Sequence, residues 1–315
     1  MHQERSFTHV QITAVGAYLP PRVVTNDELA QYVETSDQWI AAHTGIKERR
    51  WAEEGEKASD LAYRATLDLL ERHDGEIDAI ICATATPDHP GFPSVASILC
   101  ERLGSRGPAL DVSAGCTGFI YALEVGRAMV ASSLAKNVLV IAAEKLSSIL
   151  DLDDRNTCVL FGDGAAAALI EESAEPLFLD SYIKSEGGGS TALTVDSERK
   201  VITMEGRSVY TFAVRVIAET IDALLERNDL SIGDIDWIVP HQANMRIIAA
   251  CARRYGIAEE KFYMNIDRYA NTSAASIPIA LAEMERSGVL TSGQRIILIG
   301  FGAGLTYGGS LLIWR

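Results

Sequence analysis

Three side chains capable of chemistry stand far apart in the sequence, each in a setting that suits thiol acyl transfer. Cys116 lies in Leu110-Asp111-Val112-Ser113-Ala114-Gly115-Cys116-Thr117-Gly118-Phe119-Ile120. That stretch reads as a strand, a tight turn with the thiol at its tip, and a helix running to about Ser133. Gly115 and Gly118 leave room for backbone or ligand beside the sulfur. A thiol at a helix N-terminus is biased toward thiolate by the helix dipole and the unpaired N–H groups. His241 lies in Pro240-His241-Gln242-Ala243-Asn244, at the end of a buried strand, where α/β folds expose active groups. Asn271 begins Asn271-Thr272-Ser273-Ala274-Ala275-Ser276, which opens a helix rich in small residues, and Phe301-Gly302-Ala303-Gly304-Leu305 is a glycine loop.

Alone, each has a plainer reading. Most intracellular cysteines are small buried residues, a single histidine is more often structural, an asparagine suits an N-cap, and a glycine loop can be only a turn. Phosphate binding is disfavoured, because a strand and no Lys-Ser/Thr follows the loop. Together they suit one reaction. A cysteine attacks a thioester and becomes acylated. Backbone N–H groups of Cys116 and the glycine loop hold the oxyanion. A neutral His and an Asn, both donors, stabilise the enolate left when a malonyl thioester loses carbon dioxide.

The elements that must position these groups alternate. Buried strands are expected at Val10–Tyr18, Ile77–Ala83, Lys136–Glu144, Ile235–Pro240 and Arg295–Gly300, and helices at Ser59–Arg72, Pro93–Leu103, Val209–Leu225 and Ala243–Tyr255. A helix capped by Thr25-Asn26-Asp27-Glu28 starts at Leu29, and another begins at Thr35–Ile40 and stops at Gly45. Cys158–Phe161 and Ala165–Ile170 read as two strands around a tight turn, and Glu171–Arg199 as an irregular linker with a flexible Gly187-Gly188-Gly189 loop. In the first half the alternation argues for a largely parallel sheet covered on both faces. The pattern then repeats. Ile235–Pro240 mirrors Ile77–Ile81, and Asn271 falls 155 residues after Cys116. Two similar halves, 1–170 and 171–315, packed together would bring their equivalent loops to one centre.

The bulk composition is compatible. The chain has 315 residues, 48% of them hydrophobic, which is enough for a large core. With 43 acidic against 28 basic side chains the net charge is −15, which argues against nucleic acid. Five cysteines without a CxxC fit free thiols in a reducing cytoplasm. Met1-His2-Gln3-Glu4-Arg5 carries no apolar signal core, and no run of about 18 apolar residues predicts a membrane span.

The sequence closely resembles β-ketoacyl-acyl carrier protein synthase III, the initiating condensing enzyme of the thiolase superfamily, over essentially its whole length. The resemblance rests on Gly115–Phe119, His241–Arg246, Asn271–Ser276, Phe161-Gly162-Asp163-Gly164 and the tail glycine loop, in order. It implies an α/β thiolase-like five-layer αβαβα fold of two duplicated halves, and a homodimer. It implies a catalytic triad of Cys116, His241 and Asn271, and an oxyanion hole from the backbone of Cys116 and Ala303. Cys116 would take the acyl group of an acyl-CoA, and malonyl-acyl carrier protein would then condense with it, with no cofactor and no metal. Trp39 and Arg155 would clamp the CoA adenine, and Gly206 and Asn244 would line the pantetheine tunnel. Phe92 from the partner subunit, with Leu160, Tyr210 and Phe301, would shape the acyl pocket. Arg246, Arg253 and Arg254, along one helix, would dock the acidic carrier protein.

Two positions depart from the family pattern. His43 stands where Arg is frequent, which weakens the expected grip on CoA phosphate. Ala303 stands where Gly is common, and a positive φ would be costly there. The alternative readings are a specialised relative in polyketide or signal-molecule biosynthesis and, from another class, a non-catalytic interaction protein on the same scaffold. A hydroxymethylglutaryl-CoA synthase is disfavoured, since no glutamate is placed as its base.

Overall fold

The computed structural model describes residues 8–315, so the Met1–Arg5 reading lies outside the described residues. Two sheets carry the chain. The first runs, edge to edge, His9–Tyr18, Gly164–Ser173, Asn137–Glu144, Ala79–Ala83 and Ala109–Val112. Its last three strands are mutually parallel, and the first two are antiparallel to their neighbours. The second runs Phe178–Ser185, Thr306–Ile313, Arg295–Gly302 and Trp237–Pro240, with the same sequence of antiparallel, antiparallel and parallel pairings. The second sheet therefore repeats the first, less its outer strand.

Strand alternation shows how the layers stack. Ile80, Cys82, Leu139 and Ile141 face one way, into a core shared with the Ala58–Leu70 and Val95–Leu103 helices. Ile81, Val138 and Val140 face the other way. There they meet the Gly118–Ala131 and Ser276–Arg286 helices, with Ile296 and Leu298 of the second sheet beyond. Ile297 and Ile299 point outward, onto the Gly206–Arg227 and Met245–Tyr255 helices. Helix, sheet, helix, sheet, helix makes five layers. The central helix pair comes one from each half, and each begins just after a chemical motif.

Caps explain several boundaries. Ser36 accepts the Trp39 N–H to start the Asp37–Thr44 helix, and Gly45, at φ +84°, ends it. Ser94 does the same for Val95–Leu103.

Four expectations are corrected. The first sheet is mixed and not largely parallel, since two of its four strand pairings are antiparallel. Thr25 caps a single turn at Asn26–Leu29, so that helix ends where it was expected to begin. Cys158–Phe161 is not a hairpin strand. Cys158 closes a helical turn, Arg155–Cys158, and Phe161 pairs across the halves with Asn271. The turn after it is held instead by Asp163, whose carboxylate accepts the N–H groups of Ala52 and Ser147 and the Ser147 hydroxyl. The stretch after residue 170 is not an irregular linker. The Gly164–Ser173 strand crosses the 170/171 division, Phe178–Ser185 forms the edge of the second sheet, and Leu193–Val195 pairs with Ile202–Met204. Edge strands escape detection because their side chains are only half buried and show little hydrophobic pattern.

Candidate active site

Cys116 occupies a single 3-10 turn, Gly115–Thr117, between the Ala109–Val112 strand and the Gly118–Ala131 helix. Gly115 adopts φ +50°, and a Cβ there would come within 2.9 Å of Ala303 Cβ. A Cβ on Gly118 would lie 3.0 Å from that of Ala83 and 3.3 Å from that of Ala274. Gly115 is thus required by close approach of the other half, and Gly118 by its place between a strand of its own half and Ala274 of the other. Polar bonds lock the same contact. Thr117 Oγ1 donates to Thr306 O at 3.0 Å, and Thr306 Oγ1 lies 3.1 Å from Ala114 O.

His241 follows the Trp237–Pro240 strand, and its N–H donates to Ile299 O at 2.7 Å. Its ring packs edge-on to Phe301, with centroids 5.2 Å apart, and its Nδ1 lies 2.7 Å from Ser276 Oγ. Asn271 is bridged to Leu160 and Gly162 through its own N–H and C=O. Its Oδ1 accepts the Ser273 N–H at 2.8 Å, so its Nδ2 is the end left for a ligand. Ala270 (φ +58°) and Ser273 (φ +51°) flank it in left-handed backbone, a strain that gathers at functional sites.

Cys116, His241 and Asn271 are all buried, and all line one cavity of about 540 Å³. Trp39, Arg155, Gly206, Asn244, Leu160, Tyr210, Phe301 and Arg246 line it too, as does His43. Arg155 and Arg246 are exposed at its mouth. There the His43 ring stacks on Trp39 at 4.3 Å, and the Arg155 guanidinium lies 4.9 Å from the same indole. Asn244 accepts the Arg246 N–H as a helix cap and donates to His43 O, tying two helices together at the tunnel wall.

Cys116 also borders a second, apolar chamber of about 90 Å³, with Leu146, Ile149, Phe161, Leu193, Ile202 and Ala303 in its wall. Sequence reading missed Leu146, Ile149, Leu193 and Ile202. They carry no chemical signature, and they come from a 3-10 turn and a small hairpin in stretches that show no pattern. Phe92 is 92% exposed and lines neither space. Arg253 and Arg254 are exposed on the helix that carries Arg246. Ala303 is not among the residues with positive φ; that conformation falls on Gly304 (φ +128°), so alanine costs nothing there.

Burial governs the electrostatics. It pushes the Cys116 thiol up to about 12, against the thiolate expected from the helix terminus. Desolvation of a charge outweighs a dipole worth about 0.3–1 kcal/mol at most exposed sites. Burial also holds the His241 imidazole down, to about 3, so the ring is neutral. Glu144 is fully buried and pushed up to about 7 by desolvation, although it accepts the Ala85 N–H and the Thr86 hydroxyl. It lines neither cavity. Among the described residues, no group of three or more His, Cys, Asp or Glu is arranged to hold a metal ion.

Residues 110–187 match the family model described as 3-oxoacyl-[acyl-carrier-protein (ACP)] synthase III, and residues 225–314 match the model of its C-terminal part. A beta-ketoacyl-[acyl-carrier-protein] synthase III of Clostridium tetani is 43% identical, over 97% of this chain and 98% of its own. One from Neisseria meningitidis serogroup B is 45% identical, over 96% and 99%. The crystal structure of a beta-ketoacyl-[acyl carrier protein] synthase III from Thermus thermophilus superposes with a TM-score of 0.93 at 44% identity, covering 96% of this chain and 99% of that one.

Proposed function

Because the chain belongs to the 3-oxoacyl-[acyl-carrier-protein] synthase III family, we propose that it condenses a starter acyl-CoA with malonyl-acyl carrier protein. The products are carbon dioxide, free CoA and β-ketoacyl-acyl carrier protein, in the step that opens fatty acid biosynthesis. The observation that carries this reading is the meeting of Cys116, His241 and Asn271 at the buried end of one cavity whose mouth carries Arg155 and Arg246.

The acyl-CoA enters first. Trp39 and Arg155 hold its adenine end, and Gly206 and Asn244 flank the pantetheine arm. The Cys116 thiol gives its proton to His241 as the sulfur attacks the thioester carbonyl. Backbone N–H groups of Cys116 and Ala303 receive the oxyanion. CoA leaves with the proton, and the acyl chain rests in the small apolar chamber, whose size suits a chain of a few carbons. Malonyl-acyl carrier protein then enters by the same cavity. Loss of carbon dioxide leaves an enolate facing Asn271 Nδ2 and His241. Its carbon attacks the acyl-cysteine, and the released Cys116 thiolate is reprotonated from solvent. The steps use only groups of the chain and the two substrates, so neither cofactor nor metal takes part.

The chain works as a homodimer in the cytoplasm. The Ala109–Val112 strand stands at an open sheet edge, which invites a second copy, and Phe92 is free to reach the partner's acyl pocket. Arg246, Arg253 and Arg254 offer the acidic carrier protein a basic face on an otherwise acidic chain. The deciding experiment is incubation with an acyl-CoA and malonyl-acyl carrier protein. Both carbon dioxide and β-ketoacyl product are expected, and the absence of both overturns the reading.

A further inference from the structure

The surroundings of Ser276 determine which nitrogen of His241 carries hydrogen. Ser276 is buried at the start of the Ser276–Arg286 helix. Its Oγ meets Ser273 O at 2.9 Å, the Gln242 N–H at 3.2 Å and His241 Nδ1 at 2.7 Å. A hydroxyl has one hydrogen and two lone pairs. A carbonyl only accepts, so the hydroxyl hydrogen goes to Ser273 O. An amide N–H only donates, so Gln242 takes one lone pair. The lone pair that remains faces Nδ1, which must itself bear hydrogen. The ring is neutral, so its other nitrogen, Nε2, is bare.

We propose that Ser276 is a positioning residue that holds His241 in the Nδ1–H tautomer, so that His241 enters the reaction as a proton acceptor. This rests on the roles given above to Cys116 and His241. It answers a need at Cys116, whose buried thiol does not ionise by itself. As sulfur attacks the thioester, the S–H bond breaks, the S–C bond forms, and the proton moves to Nε2. The ring is then a cation with its Nδ1–H still bound to Ser276. When the C–S bond to CoA breaks, the departing sulfur takes the Nε2 proton and the ring returns to its starting state. At the enolate step the standing donor is Asn271 Nδ2. The ring can donate there only after its hydrogen moves to Nε2 and the Ser276 hydroxyl turns from Ser273 O to Nδ1. One hydroxyl thus separates the two halves of the reaction.

The test begins with NMR of the whole protein labelled with 15N-histidine, which reads the two ring nitrogens separately. A His241→Gln variant identifies the signal among the six histidines. The expected wild-type pattern is Nδ1 protonated and Nε2 bare. A wild-type ring with hydrogen on Nε2 overturns the proposal. In Ser276→Ala the single-tautomer pattern is expected to be lost. Self-acylation of that variant should slow by about tenfold or more, on the scale of general-base effects. Condensation by enzyme already acylated on Cys116 should change by less than about threefold. Ser276→Thr, which retains the oxygen, should restore the wild-type pattern. Equal slowing of both half-reactions, with the tautomer unchanged, would also overturn the proposal, since it marks a merely structural residue. The NMR pattern does not depend on turnover. Nδ1–H in a protein that accepts no acyl group would therefore sink the functional reading and leave the tautomer assignment standing.

Discussion

Gly302 and Cys116 touch with no space between them: a Cβ on Gly302 would lie 2.7 Å from Cys116 Cβ and 3.2 Å from its Sγ. The end of the Arg295–Gly302 strand in one half therefore sets the position of the thiol in the other. Gly302→Ala should push the cysteine turn out of place. Self-acylation should fall by at least about tenfold, and stability should drop by about 1–3 kcal/mol, the usual cost of overpacking. Wild-type acylation by this variant, measured by mass spectrometry of the intact protein, would contradict the contact.

The thiol's state has its own signature. With burial holding Cys116 up to about 12, alkylation of the free enzyme by iodoacetamide should keep accelerating beyond pH 9, roughly in step with hydroxide. A plateau near pH 7 would show a stabilised thiolate instead.

Replacing Asn271 is expected to affect one chemical stage and spare the other. Asn271 lines the cavity, and its Oδ1 holds the Ser273 N–H, which leaves Nδ2 for a ligand. Asn271→Ala should retain self-acylation and lose at least about 100-fold in release of carbon dioxide from malonyl-acyl carrier protein, the scale seen when one oxyanion donor is removed. Loss of the Ser273 bond should cost about 1 kcal/mol of stability. Condensation at the wild-type rate would remove Asn271 from the enolate.

Glu144 predicts a pH-dependent stability. Burial raises it from the ordinary 4.5 to about 7, so the folded protein keeps a proton that the unfolded chain releases. Its contribution to stability is complete below about pH 4.5 and is lost as pH rises through 7. A shift of that size corresponds to roughly 3 kcal/mol. Glu144→Gln keeps the acceptor for the Ala85 N–H and removes the ionisation. Its stability relative to wild type should therefore rise by roughly 2–3 kcal/mol between pH 4.5 and pH 8, read from denaturant unfolding. A difference that does not vary with pH would refute the assignment.

Much of the site was legible because residue type and local spacing carry it. Cys116 between two glycines, His241 after an apolar strand and Asn271 before a small-residue helix are each local patterns. Ser36 and Gly45 announce the ends of a helix in the same way. Legibility failed where the pattern depends on partners distant in sequence. The Phe178–Ser185 edge strand has no strong periodicity of its own. Phe161 is fixed by pairing with Asn271 instead of by its neighbours. The small chamber is walled by apolar residues from unrelated segments.

By itself, then, the sequence determined which chemical groups are present, the strands and helices that bear them, and the duplication that pairs their loops. Only the tertiary structure decided their physical state: a thiol kept neutral, an imidazole kept uncharged and tied through Ser276, and a second chamber beside Cys116. The reason is that desolvation and hydrogen-bond direction are sums over neighbours drawn from both halves of the chain, and no local stretch contains those neighbours.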